Sequence, residues 1–538
     1  MIVAAHPQAV DAGHAMLMRG GSAVDAAISA QLVLGLVEPQ SSGLGGGGFM
    51  LVHDPRTGRA LAYDGRETAP AAARPDRFLD ARGEPLRLAD AVLGGRSVGV
   101  PGTVALMANV HRRHGRLPWA ALFAPAIELA EQGFVVSPRL AGMLAQAGES
   151  LATGRSGDYF RARRDHPVRT GERLRNPAYA STLRRIASEG ANAFYAGEIA
   201  RDIVATVRGD ERSPGDMTLD DLARYAVIVR DPVCGTYRAY RVCSMPLPSS
   251  GGPTLLQMLA YLSPLDVAAM GAASFWSVHF ISEAGRLAYA DRAAYMADPA
   301  YAAPPPWLLS PRYLHQRARL IKHNASMVRA DPGTFVDSHA DAITRRGHHE
   351  GPELVSTSHV SVVDARGGAV AFTTSIEHAF GSRLMTAGGF LLNNQLTDFS
   401  FRPEQEGLLV ANRVQPGKRP RSSMTPTIVY DAQGRVHAVT GSPGGSAIIN
   451  YVAKFLVAII DWKLDPQQAI ALPNFGSRNG PTEIERGSHM ESLAPRLSAL
   501  GHEVSIIDQT SGTHAIVRSG TGWIGGADPR REGVARGH

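Results

Sequence analysis

The chain has 538 residues, enough for several typical domain lengths and for a large core without help from disulfides. With 44% apolar and 19% charged residues, 57 Gly and 35 Pro, it is globular in composition, which excludes disordered, collagen-like and coiled-coil chains. The formal net charge is only +6 and no long block of like charge occurs, so nothing marks a nucleic-acid-binding stripe.

Read in chain order, Ala9 to Met18 and Ala23 to Leu36 predict two helices, divided by the Gly20-Gly21 stop. A glycine run, Gly43 to Gly48, leads into the strand-like Phe49 to Val52, with a turn and second strand over 55–63. Helices are predicted at Val104 to Arg113, Trp119 to Glu131 and Phe275 to Met296. Cys234 and Cys243 flank a predicted hairpin centred near Arg238 and Ala239. They are expected as a buried free thiol pair, with a cross-strand disulfide as the alternative in an oxidising compartment. Two cysteines exclude a disulfide scaffold and a Cys-only zinc site. A Pro-rich break spans Pro299 to Pro311, and the polar stretch 325–355 reads as exposed loop, so His348-His349-Glu350 reads as solvated rather than as a metal site. Strands follow at Val360 to Val363, Ala369 to Thr374, Gly389 to Leu392, Thr427 to Tyr430, Val436 to Thr440, Glu503 to Ile507 and His514 to Val517. Helices are predicted at Ala447 to Trp462 and Pro466 to Ala471. Helix-rich first and mixed later, with a break near 355, the pattern predicts an α+β or layered sandwich fold.

No apolar run reaches 18 residues, so no membrane span is expected. The first residues lack a basic region followed by an apolar one, so no signal peptide is read here. None of the four lysines (Lys322, Lys418, Lys454, Lys463) precedes Ser or Thr, which excludes the usual P-loop. Gly43, Gly45 and Gly48 spell the dinucleotide fingerprint, but a helix precedes and a strand follows, the reverse of what that site needs; the run instead lets backbone pass close to a ligand or another strand. No G-x-S-x-G elbow and no H-E-x-x-H occur.

The stretch Val355-Ser-Thr357-Ser-His-Val-Ser-Val-Val-Asp364 places a threonine at the start of an alternating strand, just after a long polar loop. A threonine hydroxyl is a weak nucleophile until a base takes its proton. An α-amino group freed by cleavage before Thr357 can be that base, since its pKa near 8 leaves some neutral amine at neutral pH. Gly441-Ser-Pro-Gly444-Gly445-Ser446 joins a strand to a helix, where successive N–H groups can hold an oxyanion. Asn393-Asn394-Gln395-Leu-Thr-Asp398 suits an ammonium or a turn, and Arg66 and the Arg421-Ser422-Ser423 run offer a guanidinium and hydroxyls for a carboxylate.

Together with Gly20 to Ala27, Arg66-Glu-Thr-Ala-Pro70, Pro101-Gly-Thr103, Met245 to Gly252, Tyr289-Ala-Asp-Arg292 and Arg419 to Met424, these motifs resemble the γ-glutamyltransferase family of N-terminal-nucleophile hydrolases, from Ala4 to about Asp528. The resemblance implies a four-layer αββα sandwich and a precursor that cuts its own Ser356–Thr357 bond, giving a large chain, 1–356, and a small chain, 357–538, that stay together as a heterodimer. By that pattern Thr357 is the nucleophile and Ser375 supports it. Gly444 and Gly445 hold the oxyanion, Arg66, Ser422 and Ser423 bind the donor's α-carboxylate, and Gln395, Asp398 and Glu377 bind its ammonium. The resemblance calls for no cofactor and no metal. It implies small-molecule partners: a γ-glutamyl donor such as glutathione, with an amino acid, peptide or water as acceptor.

Two positions depart from the common pattern. Ser375 stands where the family often has Thr, and Glu377 where many members have Asn and others Glu. No lid tyrosine precedes Val414-Gln-Pro-Gly-Lys418, so the chain looks like the lidless bacterial type, with a more open donor pocket. Many bacterial members are exported, so the chain is expected in the periplasm or medium if a signal lies upstream, and otherwise in the cytoplasm. The alternatives are an acylase on the same scaffold, such as one acting on glutaryl-cephalosporins, and a non-catalytic, unprocessed homologue.

Overall fold

The computed structural model describes residues 1–161, 166–335, 347 and 356–537. The His348-His349-Glu350 group and the predicted break near 355 lie outside them.

Thirteen strands build two stacked sheets: β1 (Ile2–Ala4), β2 (Gly47–Asp54), β3 (Arg59–Gly65), β4 (Ile228–Arg230), β5 (Val233–Tyr237), β6 (Tyr240–Ser244), β7 (Ser358–Val363), β8 (Ala369–Ser375), β9 (Thr427–Tyr430), β10 (Val436–Gly441), β11 (His514–Ser519), β12 (Gly522–Ala527) and β13 (Val534–Arg536). The first sheet runs β13-β1-β7-β8-β2-β3-β4 and the second β12-β11-β10-β9-β6-β5. Alternation along the strands separates two cores. Val3, Phe49, Leu51, Ala369 and Ala371 point between the sheets, while Ile2, Met50, Val52, Val370 and Phe372 point to the first sheet's outer face. Helices cover both outer faces, completing the expected αββα sandwich.

On the first sheet lie α1 (Pro7–Met18) and α2 (Ala23–Val37). A capping box fixes the start of α2: Ser22 accepts from the Asp25 N–H and Asp25 from the Ser22 N–H. Being apolar nearly all round, α2 is buried along its length. On the second sheet lie α3 (Gly251–Leu262), α4 (Phe275–Tyr295) and α5 (Ile448–Ile460). Every residue of α5 is buried; each large apolar side chain there contributes about 1.5–3 kcal/mol of transfer free energy. Such a helix cannot slide without losing several of these contacts, so the glycine turn at its N-terminus is held firmly.

The glycine run packs closely against neighbouring backbone. A Cβ at Gly45 would stand 2.1 Å from the Leu391 carbonyl oxygen, and one at Gly46 2.1 Å from that of Ser375. The strand expected at Gly389 to Leu392 is corrected: the segment makes only isolated bridges, Leu391 to Met385 and Leu392 to Gly45. The Thr386–Gly389 turn, with Gly389 at φ +77°, folds it back on itself before a ladder can extend. The free thiol pair is corrected too. Register puts Cys234 opposite Cys243, side chains on one face, and the two form a disulfide with a Cα separation of 4.1 Å. No helix among the described residues is long and apolar enough to cross a membrane.

Candidate active site

Thr357 sits at the mouth of β7. In the β7–β8 hairpin Ser358 pairs with Thr374, so Thr357 and Ser375 stand next to each other one step further on. Both are buried. The Thr357 hydroxyl donates to the Ser356 carbonyl oxygen and lies 3.2 Å from Ser375 Oγ. Ser375 Oγ donates to that same carbonyl at 2.8 Å and accepts the Glu377 N–H at 2.9 Å. Its one proton and one of its two acceptor sites are thereby used. The peptide carbonyl before Thr357 is thus pinned against the hydroxyl that would attack it, with a second hydroxyl on its oxygen.

Among the described residues, the partners of the Thr357 hydroxyl are these two groups, with no histidine or carboxylate. His359, the nearest imidazole in sequence, turns to Thr373 (2.7 Å) and Ser361 (3.0 Å), and burial drives its pKa well below the usual range, leaving it neutral. Arg531, from the last turn before β13, donates to the Thr357 carbonyl oxygen at 2.9 Å; burial pulls its pKa down to about 9, still cationic at neutral pH. Nothing near Thr357 in the sequence signals Arg531.

A cavity of about 30 Å3 opens beside Thr357, lined by Arg66, Ser375, Glu377, Gln395, Asp398, Ser422, Ser423 and Gly445 among others. Gly444 stands one residue behind this lining. Arg66 follows β3; its Nε donates to the Pro420 carbonyl at 3.1 Å and its Nη2 to the Arg421 carbonyl at 2.9 Å and to Asp398. Asp398 also receives Gln395 Nε2 at 2.6 Å, both being on the short helical turn Gln395–Asp398. Glu377 receives Asn394 Nδ2 at 2.6 Å and is held at φ +76°, a region where Asn is less strained than Glu. Behind Arg66, Glu67 is completely buried, and desolvation pushes its pKa to about 8, so it is mainly protonated at neutral pH and adds little negative charge.

The serines are set by the turn that precedes α3 and by Arg292 of α4. The Ser422 N–H donates to the Pro248 carbonyl at 3.1 Å, and Ser423 Oγ receives Arg292 Nη2 at 2.6 Å, while Arg292 Nε donates to Ser250 Oγ at 2.8 Å. At the other end, Gly444 (φ +138°) and Gly445 (φ +57°) turn the chain from β10 into α5. A Cβ at Gly444 would meet the Tyr451 ring at 2.5 Å, so only glycine fits. Such a turn leaves N–H groups without helical acceptors, and Gly445 lines the cavity beside Thr357. The structure therefore gathers a hydroxyl beside a carbonyl, a guanidinium, two carboxylates, an amide, two serines and a glycine turn, drawn from positions 66 to 445.

One buried trio of metal-ligand type occurs among the described residues, His279, Glu283 and His502. His279 Nδ1 and His502 Nε2 are 2.7 Å apart, closer than the about 3.3 Å between two nitrogens on one tetrahedral zinc, and the Arg286 Nε lies 3.1 Å from Glu283. It is a hydrogen-bonded packing link, unrelated to the Thr357 pocket.

Comparison with known proteins fits this geometry. The sequence pattern of the gamma-glutamyltranspeptidase family matches residues 9–538. The chain is 36% identical over 540 residues to the glutathione hydrolase proenzyme of Escherichia coli (strain K12), covering 98% of this chain and 90% of that one. It is 34% identical over 508 residues to the glutathione hydrolase proenzyme of Bacillus subtilis (strain 168), covering 94% and 85%. The crystal structure of cephalosporin acylase from Bacillus halodurans superposes with a TM-score of 0.87 at 27% identity, covering 100% of this chain and 96% of that one. With a match along nearly its whole length and a sandwich that carries its motifs into one pocket, the chain belongs to the gamma-glutamyltranspeptidase family.

Proposed function

We propose that this protein is an autoprocessed γ-glutamyl transferase and hydrolase in which Thr357 is the nucleophile of both self-cleavage and catalysis. The observation that carries the reading is the mixed charge of the Thr357 pocket: Arg66 beside Asp398, with Glu377 on the same wall. A γ-glutamyl donor carries an α-carboxylate and an α-ammonium on one carbon. Its carboxylate takes the Arg66 guanidinium and the Ser422 and Ser423 hydroxyls, and its ammonium takes Asp398, Glu377 and Gln395, so the donor replaces the direct Arg66–Asp398 pair with two pairs of its own.

In the precursor, the Thr357 hydroxyl attacks the Ser356 carbonyl carbon. The peptide C–N bond gives way to an ester on Oγ1, and water releases chain 1–356 and the α-amine of Thr357 on chain 357–538. That amine then takes the hydroxyl proton as the hydroxyl attacks the donor's γ-carbonyl. The Gly444 and Gly445 N–H groups hold the oxyanion, and the leaving amine departs with the proton. Ser375, donating to the Ser356 carbonyl oxygen, serves as the oxyanion donor of the self-cleavage step. Ser375→Ala is expected to slow precursor splitting by about 10²–10³-fold, the usual loss for one such donor, measured as the time course of chain separation on denaturing gels.

The second reading, an acylase, draws on the cephalosporin acylase likeness. A glutaryl group has no ammonium for Asp398 and Glu377, which favours the γ-glutamyl donor. Rates on a γ-glutamyl anilide and a glutaryl anilide decide between them: faster γ-glutamyl turnover is expected, and equal or faster glutaryl turnover overturns the reading. The Cys234–Cys243 bridge supports a periplasmic or secreted location, since disulfides persist in oxidising compartments.

A further inference from the structure

Once the Ser356–Thr357 bond is cut, the proposed base is the α-amine of Thr357, and an amine takes a proton only while it is neutral. An ordinary α-amine, with a pKa near 8, is mostly protonated at pH 7. Arg531 bears on that balance, because its Nη1 donates to the Thr357 carbonyl oxygen at 2.9 Å. Covalent geometry keeps a residue's own nitrogen within about 3.6 Å of its carbonyl oxygen. The guanidinium thus stands no more than about 6.5 Å from the α-nitrogen, close enough for its charge to disfavour a second cation there.

The charge of Arg531 is held by neutral partners. Its Nε donates to the Ser511 carbonyl at 3.2 Å and its Nη2 to that of Thr510 at 3.4 Å. All three nitrogens therefore end on carbonyl oxygens, and the side chain forms no ion pair among the described residues. A Cβ at Gly512 would stand 2.6 Å from Arg531 Cδ, so the Thr510–Gly512 turn closes on the stem. The surrounding carboxylates are engaged elsewhere. Asp528 accepts Ser511 Oγ at 2.6 Å and the Thr513 N–H at 3.1 Å, and its other oxygen accepts Arg530 Nη1 at 3.0 Å. Glu38, just past α2, accepts Ser358 Oγ at 3.1 Å and lies 3.5 Å from Arg139 Nε, while Glu532 accepts the Arg139 N–H at 2.9 Å. His514, which burial drives down to a pKa of about 4, and Tyr451, which burial pushes up, are neutral neighbours. On the cavity side, Arg66 and Arg421 offset Glu377 and Asp398. Arg531 itself is buried at 6% exposure, where water and salt screen its charge little.

Resting on the reading of Thr357 as the nucleophile with its own α-amine as base, we infer that Arg531 is a positioning residue that keeps that amine in its free-base form. Its cation opposes protonation of the nitrogen, and its bond to the carbonyl holds the Thr357 backbone in place after the chain is cut. In each turnover the nitrogen takes the Oγ1 proton as Oγ1 bonds to the donor's carbonyl carbon, and gives it to the leaving amine as the C–N bond breaks. The transient ammonium is the species that Arg531 opposes, so the proton is passed on rather than retained.

The test is the pH dependence of kcat/KM for γ-glutamyl-4-nitroanilide hydrolysis, whose acid limb reports the free enzyme's base. Arg531→Gln is expected to move that limb up by about one pH unit, lowering kcat/KM about tenfold at pH 6 and converging with wild type above pH 9. Arg531→Lys keeps the charge and is expected to hold the limb near its wild-type position. A role confined to structure lowers the plateau and leaves the limb in place, and that result overturns the inference. Should Arg531→Gln fail to fold, carbamylation of the wild-type Thr357 amine by cyanate, followed against pH by mass spectrometry, titrates the amine directly. An apparent pKa below the usual range of about 7.7–8.0 is expected, and one within or above it overturns the inference. Failure of the underlying reading shows separately, as a chain that does not divide or a small chain that does not begin at Thr357. If only glutaryl anilides turn over, the same limb is read on glutaryl-4-nitroanilide.

Discussion

Thr357→Ala is expected to leave the chain at full length and without acyl-transfer activity. The hydroxyl lies against the Ser356 carbonyl oxygen and against Ser375, on the residue whose own α-amine cleavage of the Ser356–Thr357 bond would free. Without it neither the ester of self-cleavage nor the glutamyl ester can form. On the proposed mechanism the α-amine that would serve as base is not released, so both functions are expected to disappear together. The expected loss in kcat is on the order of 10⁶, as for removal of a nucleophile that works as a unit with its base. Thr357→Ser keeps the hydroxyl and loses only the methyl that restricts its rotamer, so it is expected to split and turn over at reduced rates. Denaturing electrophoresis and an anilide assay on both variants provide the check. A Thr357→Ala protein that still separates into two chains contradicts the assignment.

The second large effect is at Arg66. Its guanidinium is buried at 1% exposure, and its position is set by the Pro420 and Arg421 carbonyls. Arg66→Gln removes the charge proposed to meet the donor's α-carboxylate. Two charge-assisted hydrogen bonds of about 1.5–3 kcal/mol each correspond to roughly 10²–10⁴-fold in kcat/KM for γ-glutamyl donors. The substitution also removes the Arg66–Asp398 ion pair, which adds a folding cost. The discriminating readout is therefore the comparison with a 4-aminobutyryl anilide, which keeps the ammonium and lacks the α-carboxylate. Its turnover is expected to fall far less, while equal losses on both donors would assign Arg66 to structure alone.

Much of the fold was legible because periodicity reports local burial. The α1, α2 and α5 segments and the β7–β8 hairpin stand within a few residues of their expected limits. Residues 389–392 were misread because their strand-like composition is overridden by the Thr386–Gly389 turn and by glycines that bring Leu391 and Leu392 against Gly45. Thr357 and the Gly444–Gly445 turn carry local signals, a strand after a polar loop and a strand-to-helix glycine turn. Arg66, Asp398 and Ser422 do not. They converge only because β3, the Gln395–Asp398 turn and the Ser422 loop meet at one end of the sandwich, and no single segment shows that; the family resemblance linked them. Arg531 had no such motif, and it becomes visible only as a partner of Thr357.

Self-cleavage at Thr357 is tested most directly by intact mass and N-terminal sequencing of the purified wild-type protein. Two chains, the smaller beginning at Thr357 and ending at His538, are the expected result. A single undivided chain, or a smaller chain beginning at any other residue, contradicts Thr357 as the nucleophile.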